Sequence, residues 1–151
     1  MSYVDRVLQP GEAVRYRGTI HWIVYLPGLF FLAFAAGAAI MATQAADPLL
    51  FNGAGILVGV IAAFSLFRAW FGRWTTEIAV TDRRIIYKEG FISRRTVETH
   101  MDKVESVDVD QGILGRMLDF GDVIVHGTGA SREPMRRVQS PIEFRNCITA
   151  R

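Results

Sequence analysis

What this chain lacks narrows it first. It has one cysteine, Cys147, in 151 residues, which excludes a disulfide framework and a thiolate metal site and accords with a reducing compartment. Its three histidines, His21, His100 and His126, are scattered and stand at no metal-ligand spacing. Asp108 and Asp110 share one face of an expected strand, where a solvated surface explains them better than paired carboxylates do. No serine or cysteine sits in a nucleophile context. Gly127-Thr128-Gly129-Ala130-Ser131 lacks the third glycine and the following helix of a phosphate loop, so a hairpin turn is expected there. Residues 73–151 hold 13 Lys/Arg against 12 Asp/Glu with no long basic stretch, so the isoelectric point near 9.0 is no argument for nucleic acid. The expectation is a protein that is not an enzyme, with no metal and no cofactor.

The scarcest thing of all is charge in the first half. Residues 21–72 carry only Asp47 and Arg68. Two apolar runs fill that stretch, at about 22–43 and 48–71. Trp22 to Met41 as a helix spans about 30 Å, the thickness of a bilayer's hydrocarbon core, and Leu49 to Phe67 is nearly as long. The reading is a transmembrane hairpin over 21–72. The first run follows 20 ordinary residues and is longer than a signal-peptide core, so it is expected to be retained. Arg6, Arg15 and Arg17 precede it, Arg68 and Arg73 flank the end of the second run, and the turn Gln44-Ala45-Ala46-Asp47 has no positive charge. The positive-inside rule then places both termini in the cytoplasm. Trp22, Trp70 and Trp74 fall at that same interface, as an aromatic belt would, and Arg68 can snorkel to the headgroups. Gly55 and Gly59 form a GxxxG spacing, and Ala33 with Gly37 repeats the small-residue pattern. These are helix-packing candidates, within the hairpin in preference to a dimer face. Pro27 predicts a mild kink. Asn52 lies near the outer end and reads as interfacial.

Residues 1–20 open with Val4, Val7 and Leu8 at helical spacing, turn at Pro10-Gly11, and alternate from Val14 to Gly18. They are expected as a cytoplasmic arm that pairs with the C-terminal domain, lies along the headgroups or stays loose. From Arg73 the period changes to 2. Short strands are expected at 75–80, 85–87, 97–101, 107–109, 123–125 and 135–139, with turns at Thr81-Asp82-Arg83 and Glu89-Gly90 and a helical turn over 112–118. Ser140-Pro141-Ile142-Glu143 has the form of a capping box opening a last helix to about Ala150. Ile142, Phe144, Cys147 and Ile148 would cover one open end of a β-barrel or sandwich, with Cys147 as a small core residue.

Three stretches carry a likeness. They are Leu8-Gln9-Pro10-Gly11-Glu12 with Tyr16 and His21-Trp22; Val80-Thr81-Asp82-Arg83-Arg84-Ile85-Ile86-Tyr87 with Gly90; and Val104-Glu105-Ser106-Val107 with Gln111 to Gly121. Together, behind an apolar hairpin, they resemble the bacterial pleckstrin-homology (PH) domain membrane proteins. The resemblance implies residues 73–151 as an all-β PH-like domain of two sheets closed by a C-terminal helix. It does not carry over a phosphoinositide pocket, because Thr81-Asp82-Arg83-Arg84 is short and partly acidic. The leading expectation is a membrane-tethered module that binds a protein partner or its own copies. The first alternative is a sensor of anionic lipid headgroups, with Arg73, Arg83 and Arg84 as contacts at about 1 kcal/mol per charge. Solvated edge charges compete with that reading, as they do for Arg94-Arg95 and Arg136-Arg137. The second alternative is an accessory subunit of a transport or export system.

Overall fold

The computed structural model describes residues 3–45, 47–90, 95–128 and 131–149. Ala46, Arg94, Gly129, Ala130 and Ala150, which figure in the expectations above, lie outside them. In order, the chain forms α1 (Tyr3–Val7), β1 (Val14–Gly18), a 3-10 turn (Trp22–Tyr25), α2 (Leu26–Ala42) and α3 (Pro48–Thr75). Strands β2 (Glu77–Thr81), β3 (Arg84–Glu89) and β4 (Arg95–His100) follow, then a second 3-10 turn (Met101–Lys103) and β5 (Val104–Asp110). The last elements are α4 (Ile113–Leu118), β6 (Phe120–Gly127), β7 (Ser131–Gln139) and α5 (Pro141–Thr149). Two compact units result: Met1–His21 with Arg73–Arg151, and Trp22–Gly72.

The first unit is an antiparallel sandwich. One sheet has the order β1-β2-β3-β4 and the other β5-β6-β7. It is not a closed barrel, because the turn Met101–Lys103 interrupts the ladder between β4 and β5, while at the other corner a single bridge, Ile20 to Val138, joins the sheets. Of the arrangements open to residues 1–20, pairing with the later strands is the one found: Tyr16 lies opposite Val80 and Gly18 opposite Ile78. The β-pattern begins two residues later than its period suggests, since α3 runs on to Thr75.

Between the sheets Ile78, Val80, Ile85, Tyr87, Val123, Val125, Met135 and Val138 form the core, and Phe144 and Ile148 of α5 cover it. Strand β6 alternates buried and half-buried residues, as a strand with one covered face should. In contrast, β2 and β3 are buried almost continuously. Their outer face also has a lid: Val4 of α1 packs on Ala79 and Ile86. A five-residue helix is unstable alone, and the sandwich holds this one at both ends. The Glu77 carboxylate accepts the Tyr3 and Val4 N–H groups at 3.0 and 3.2 Å, and Arg84 Nη2 donates to the Val7 carbonyl at 2.7 Å.

The last helix begins as expected at Pro141 but without a capping box. Ser140 adopts φ +48°, and its hydroxyl bonds Asp119 Oδ2 at 2.6 Å instead of the N–H three residues on. In α5 the covering side chains are Phe144 and Ile148, at i and i+4, whereas Ile142 is exposed and Cys147 half-buried.

The second unit holds two helices long and apolar enough to cross a membrane, Trp22–Ala42 and Pro48–Thr75, each with mean hydropathy 2.1 in its most apolar window. Pro27 kinks nothing: it stands in the first turn of α2, where the 3-10 turn passes into α-helix and its missing donor costs no bond. Asp47 Oδ1 accepts the Leu49 N–H at 3.3 Å, so Asp47-Pro48 starts α3 as N-cap and N1. The contact that demands a small residue is Gly28, whose added Cβ would lie 2.7 Å from Leu66. Gly55 faces Ala38 and Ala35, and Gly59 faces Ala35; Gly37 faces open space, and Ala33 lies beside it on a shallow apolar surface. So Gly37 is not part of the packing within this unit.

Candidate functional site

The residues singled out for headgroup contact do not form one group. Arg68, Trp22, Trp70 and Trp74 are exposed and Arg73 is half-buried. Arg83 is exposed too, but at the opposite end of β2 from Arg73. Arg84 is the clear correction. It is 6% exposed and fully committed to protein partners. Its Nε and Nη2 donate to Glu12 at 3.0 and 2.8 Å, its Nη1 to Glu98 at 2.8 Å. Thr81 adds a hydroxyl bond to Glu12 at 2.7 Å, and the Gln9 N–H another at 2.9 Å. Burial pushes the Glu12 carboxyl upward, but Arg84 and the Gln9 and Thr81 bonds outweigh it and hold the pKa at about 2. This is a clasp: it pins the turn after α1 to the β2–β3 hairpin. Its arginine has no freedom to meet a lipid.

Where that hairpin turn, the second 3-10 turn and α5 meet, a cavity of about 540 Å3 is lined by Arg15, Thr81, Asp82, Arg83, His100, Met101, Asp102, Cys147 and Ile148. Two arginines face two aspartates, so the wall is formally balanced and suits no strongly anionic ligand. A second groove, of about 270 Å3, lies between β5 and α5 and is lined by Met101, Asp102, Val104, Glu105, Ser106, Val107, Ile148 and Thr149. Strand β5 pairs only with β6 among the described residues, so its outer backbone edge borders this groove.

Ser106, Asp108 and His126 come together on one sheet face, since Ser106 lies opposite His126. The His126 Nε2 meets Asp108 Oδ2 at 2.9 Å, an exposed pair on the surface of the three-stranded sheet. The third histidine, His21, is buried and stacks on Phe120 with ring centroids 5.1 Å apart. Its own N–H donates to the Arg137 carbonyl at 2.8 Å, at a β7 bulge where Arg137 takes φ +54°. Burial lowers its pKa first, and the Arg73 charge lowers it further.

Two features escaped sequence reasoning. Glu12 was legible only as part of a short motif, although a lone acid after a Pro-Gly turn is a signal. The other is α4, where Ile113, Leu114 and Met117 are 82%, 64% and 76% exposed.

A family model for the bacterial PH domain matches residues 25–151. No curated protein and no solved structure matches the chain.

Proposed function

The chain belongs to the bacterial PH domain family, and from that premise we propose that it is a non-enzymatic membrane protein whose sandwich docks a protein partner, or a second copy of itself, at the cytoplasmic face of a bacterial inner membrane. Two observations support the membrane part. The apolar windows of the two long helices are only 6% buried, whereas a soluble core helix hides most of its surface. The strand pairing adds a second argument. Residues 22–72 are inserted between β1 and β2, which are antiparallel neighbours with Gly18 opposite Ile78. Both ends of the insertion therefore have to lie on one side of any bilayer, which an even number of crossings satisfies. The charge distribution agrees, and favours the cytoplasm as that side.

The docking part is carried by one observation, the groove along β5. A free strand edge beside a shallow trough accepts an extended segment, with main-chain bonds along the edge and side chains in the trough. Val104, Val107 and Ile148 supply its apolar floor and Asp102 and Glu105 its rim. A photocrosslinker placed at Glu105 of the full chain in native membranes should capture a defined partner or a second copy, and one at Glu89 should not. A single copy in mild detergent, together with no capture from position 105, would remove the reading. Reporter fusions at both termini and in the 44–47 turn test the membrane part separately: opposite locations for the two termini would sink it.

The alternative of an anionic-lipid sensor loses Arg84 to the clasp and keeps only Arg73 and Arg83, at opposite ends of β2. An accessory role in a transport or export system is a special case of docking, and the identity of the captured partner would decide it.

A further inference from the structure

The short helix α4 is built to show its apolar side chains outward. Only Gly115 in it is buried. The packing that holds it is made by backbone. A Cβ on Gly115 would stand 2.6 Å from the Phe120 carbonyl, so the helix lies directly on the start of β6. Gln111 Nε2 donates to the Phe120 carbonyl at 3.1 Å, and Asp119 ends the helix in the left-handed conformation. The seat uses none of Ile113, Leu114 and Met117, and the sandwich core does not need them. Three large apolar side chains fixed outward on a rigid support mark a surface that something covers.

What lies next to α4 identifies the cover. The helix ends at Leu118, whose carbonyl accepts a bond from the His21 imidazole, and Phe120 just beyond stacks on the same ring. His21 is the residue immediately before the apolar unit, and Arg73, immediately after it, places its charge on that imidazole as well. The chain thus enters the apolar segment beside the C-terminal end of α4, and it returns into β2, the strand paired with β1 through Gly18 and Ile78. Six residues of helix are about 9 Å long. A headgroup layer is about 5–8 Å deep.

We infer that α4 is a second membrane contact, with Ile113, Leu114 and Met117 seated at the headgroup–acyl boundary of the same bilayer that residues 22–72 span. The inference rests on the membrane reading above. Arg116, exposed on the same helix, has the reach to meet lipid phosphates from that position. The sandwich would then be held to the surface at three places, two covalent and one by insertion. Such a hold limits its rocking and sets the direction in which the β5 groove faces.

The test uses the full chain with Cys147→Ser, reconstituted into vesicles of phosphatidylethanolamine and phosphatidylglycerol. Single cysteines are introduced as Ile113→Cys, Leu114→Cys, Met117→Cys, Leu57→Cys and Arg83→Cys and labelled with an environment-sensitive fluorophore. Labels at 113, 114 and 117 should emit to the blue of the label at 83 and lose intensity when the lipids carry a nitroxide high on the acyl chain. The label at 57, mid-helix in α3, should be quenched by a nitroxide deep in the chain. Quenching at 57 without quenching at 113, 114 and 117 overturns the α4 contact and leaves the membrane reading intact. A blue shift on α4 that no lipid nitroxide quenches overturns it too, because protein then covers the helix. No quenching at 57 overturns the membrane reading, and the inference with it.

Discussion

Replacing Arg84 by methionine should be the most damaging single change in the sandwich. Arg84 and Glu12 form a buried pair, with side chains 8% and 0% exposed. Removing one partner of such a pair leaves the other charge without compensation, at a cost of about 3–5 kcal/mol. The position of the Glu12 pKa gives an independent figure. A carboxyl held at about 2 against an ordinary 4.5 corresponds to about 3 kcal/mol. For a unit of this size a loss of 1 kcal/mol lowers the melting temperature by about 4–8 °C, so Arg84→Met should lower it by at least about 12 °C. Glu12→Gln should cost less, because Glu98 still neutralises the arginine and the single amide oxygen can still accept one of the Thr81 and Gln9 bonds. The double change Glu12→Leu with Arg84→Met removes both charges and should recover part of the loss, leaving Glu98 at a half-exposed site. The assay is thermal unfolding of the full chain in mild detergent, followed by near-ultraviolet circular dichroism. An Arg84→Met chain melting within about 4 °C of the parent, less than about 1 kcal/mol, would refute the assignment of the clasp.

Acid should unfold the sandwich in two windows, because Glu12 and His21 both have folded pKa values below their unfolded ones. His21 contributes stability at neutral pH that begins to be lost as pH falls below about 6.5, and Glu12 contributes stability lost between about 4.5 and about 2; a His21→Phe chain should lose the first step in a pH titration of the melt. Gly115→Ala drives a Cβ against the Phe120 carbonyl at 2.6 Å and should destabilise by about 1–3 kcal/mol, measured by the same melt. Gly28→Val should disturb the packing of α2 on α3 through Leu66, whereas Gly37→Val, facing open space, should leave the detergent-solubilised hairpin unchanged in cysteine crosslinking between the helices. A fragment beginning at Arg73 should aggregate, since it lacks β1, α1 and Glu12; residues 1–21 joined to 73–151 by a short Gly-Ser linker should fold and give dispersed amide resonances.

The elements visible in advance were those whose burial is one-sided. Strand β6 and the Phe144–Ile148 stripe follow a clean period because each has one wet face. Strands β2 and β3 were found from β-branched residues and from the Thr81-Asp82-Arg83 turn, but their second buried face was not visible. That face exists only because α1, about 70 residues earlier in the chain, folds back over Ala79 and Ile86, and no local pattern encodes a lid supplied from so far away. The same distance hid the clasp. Arg84 reads as one of two adjacent arginines in a turn, where both would be wet, until Glu12 and Glu98 are brought to it by β1 and β4. Ser140 misled for a different reason: the residue types of a capping box were present, yet a left-handed backbone turned the hydroxyl to Asp119, and side-chain identity does not encode that choice. The apolar residues of α4 were read as a helical turn, correctly, while their exposure depends on which side of Gly115 meets Phe120.

The insertion of the apolar unit between two paired strands also constrains how the parts work together. Strand β1 is made before the apolar segment and β2 after it, so the four-stranded sheet cannot be completed until the whole of 22–72 has been synthesised. Pairing Gly18 with Ile78 closes a loop of about 60 residues, whose entropic cost in free solution grows only logarithmically with length. If the loop is two helices held in lipid, most of that freedom is already gone, and the strand ends are delivered side by side. Formation of the clasp then reports on the pairing of β1 with β2, because it joins Glu12, just before β1, to Arg84 of β3. If residues 22–72 are held in lipid, the sandwich with its β5 groove would complete its four-stranded sheet most readily once they are in place.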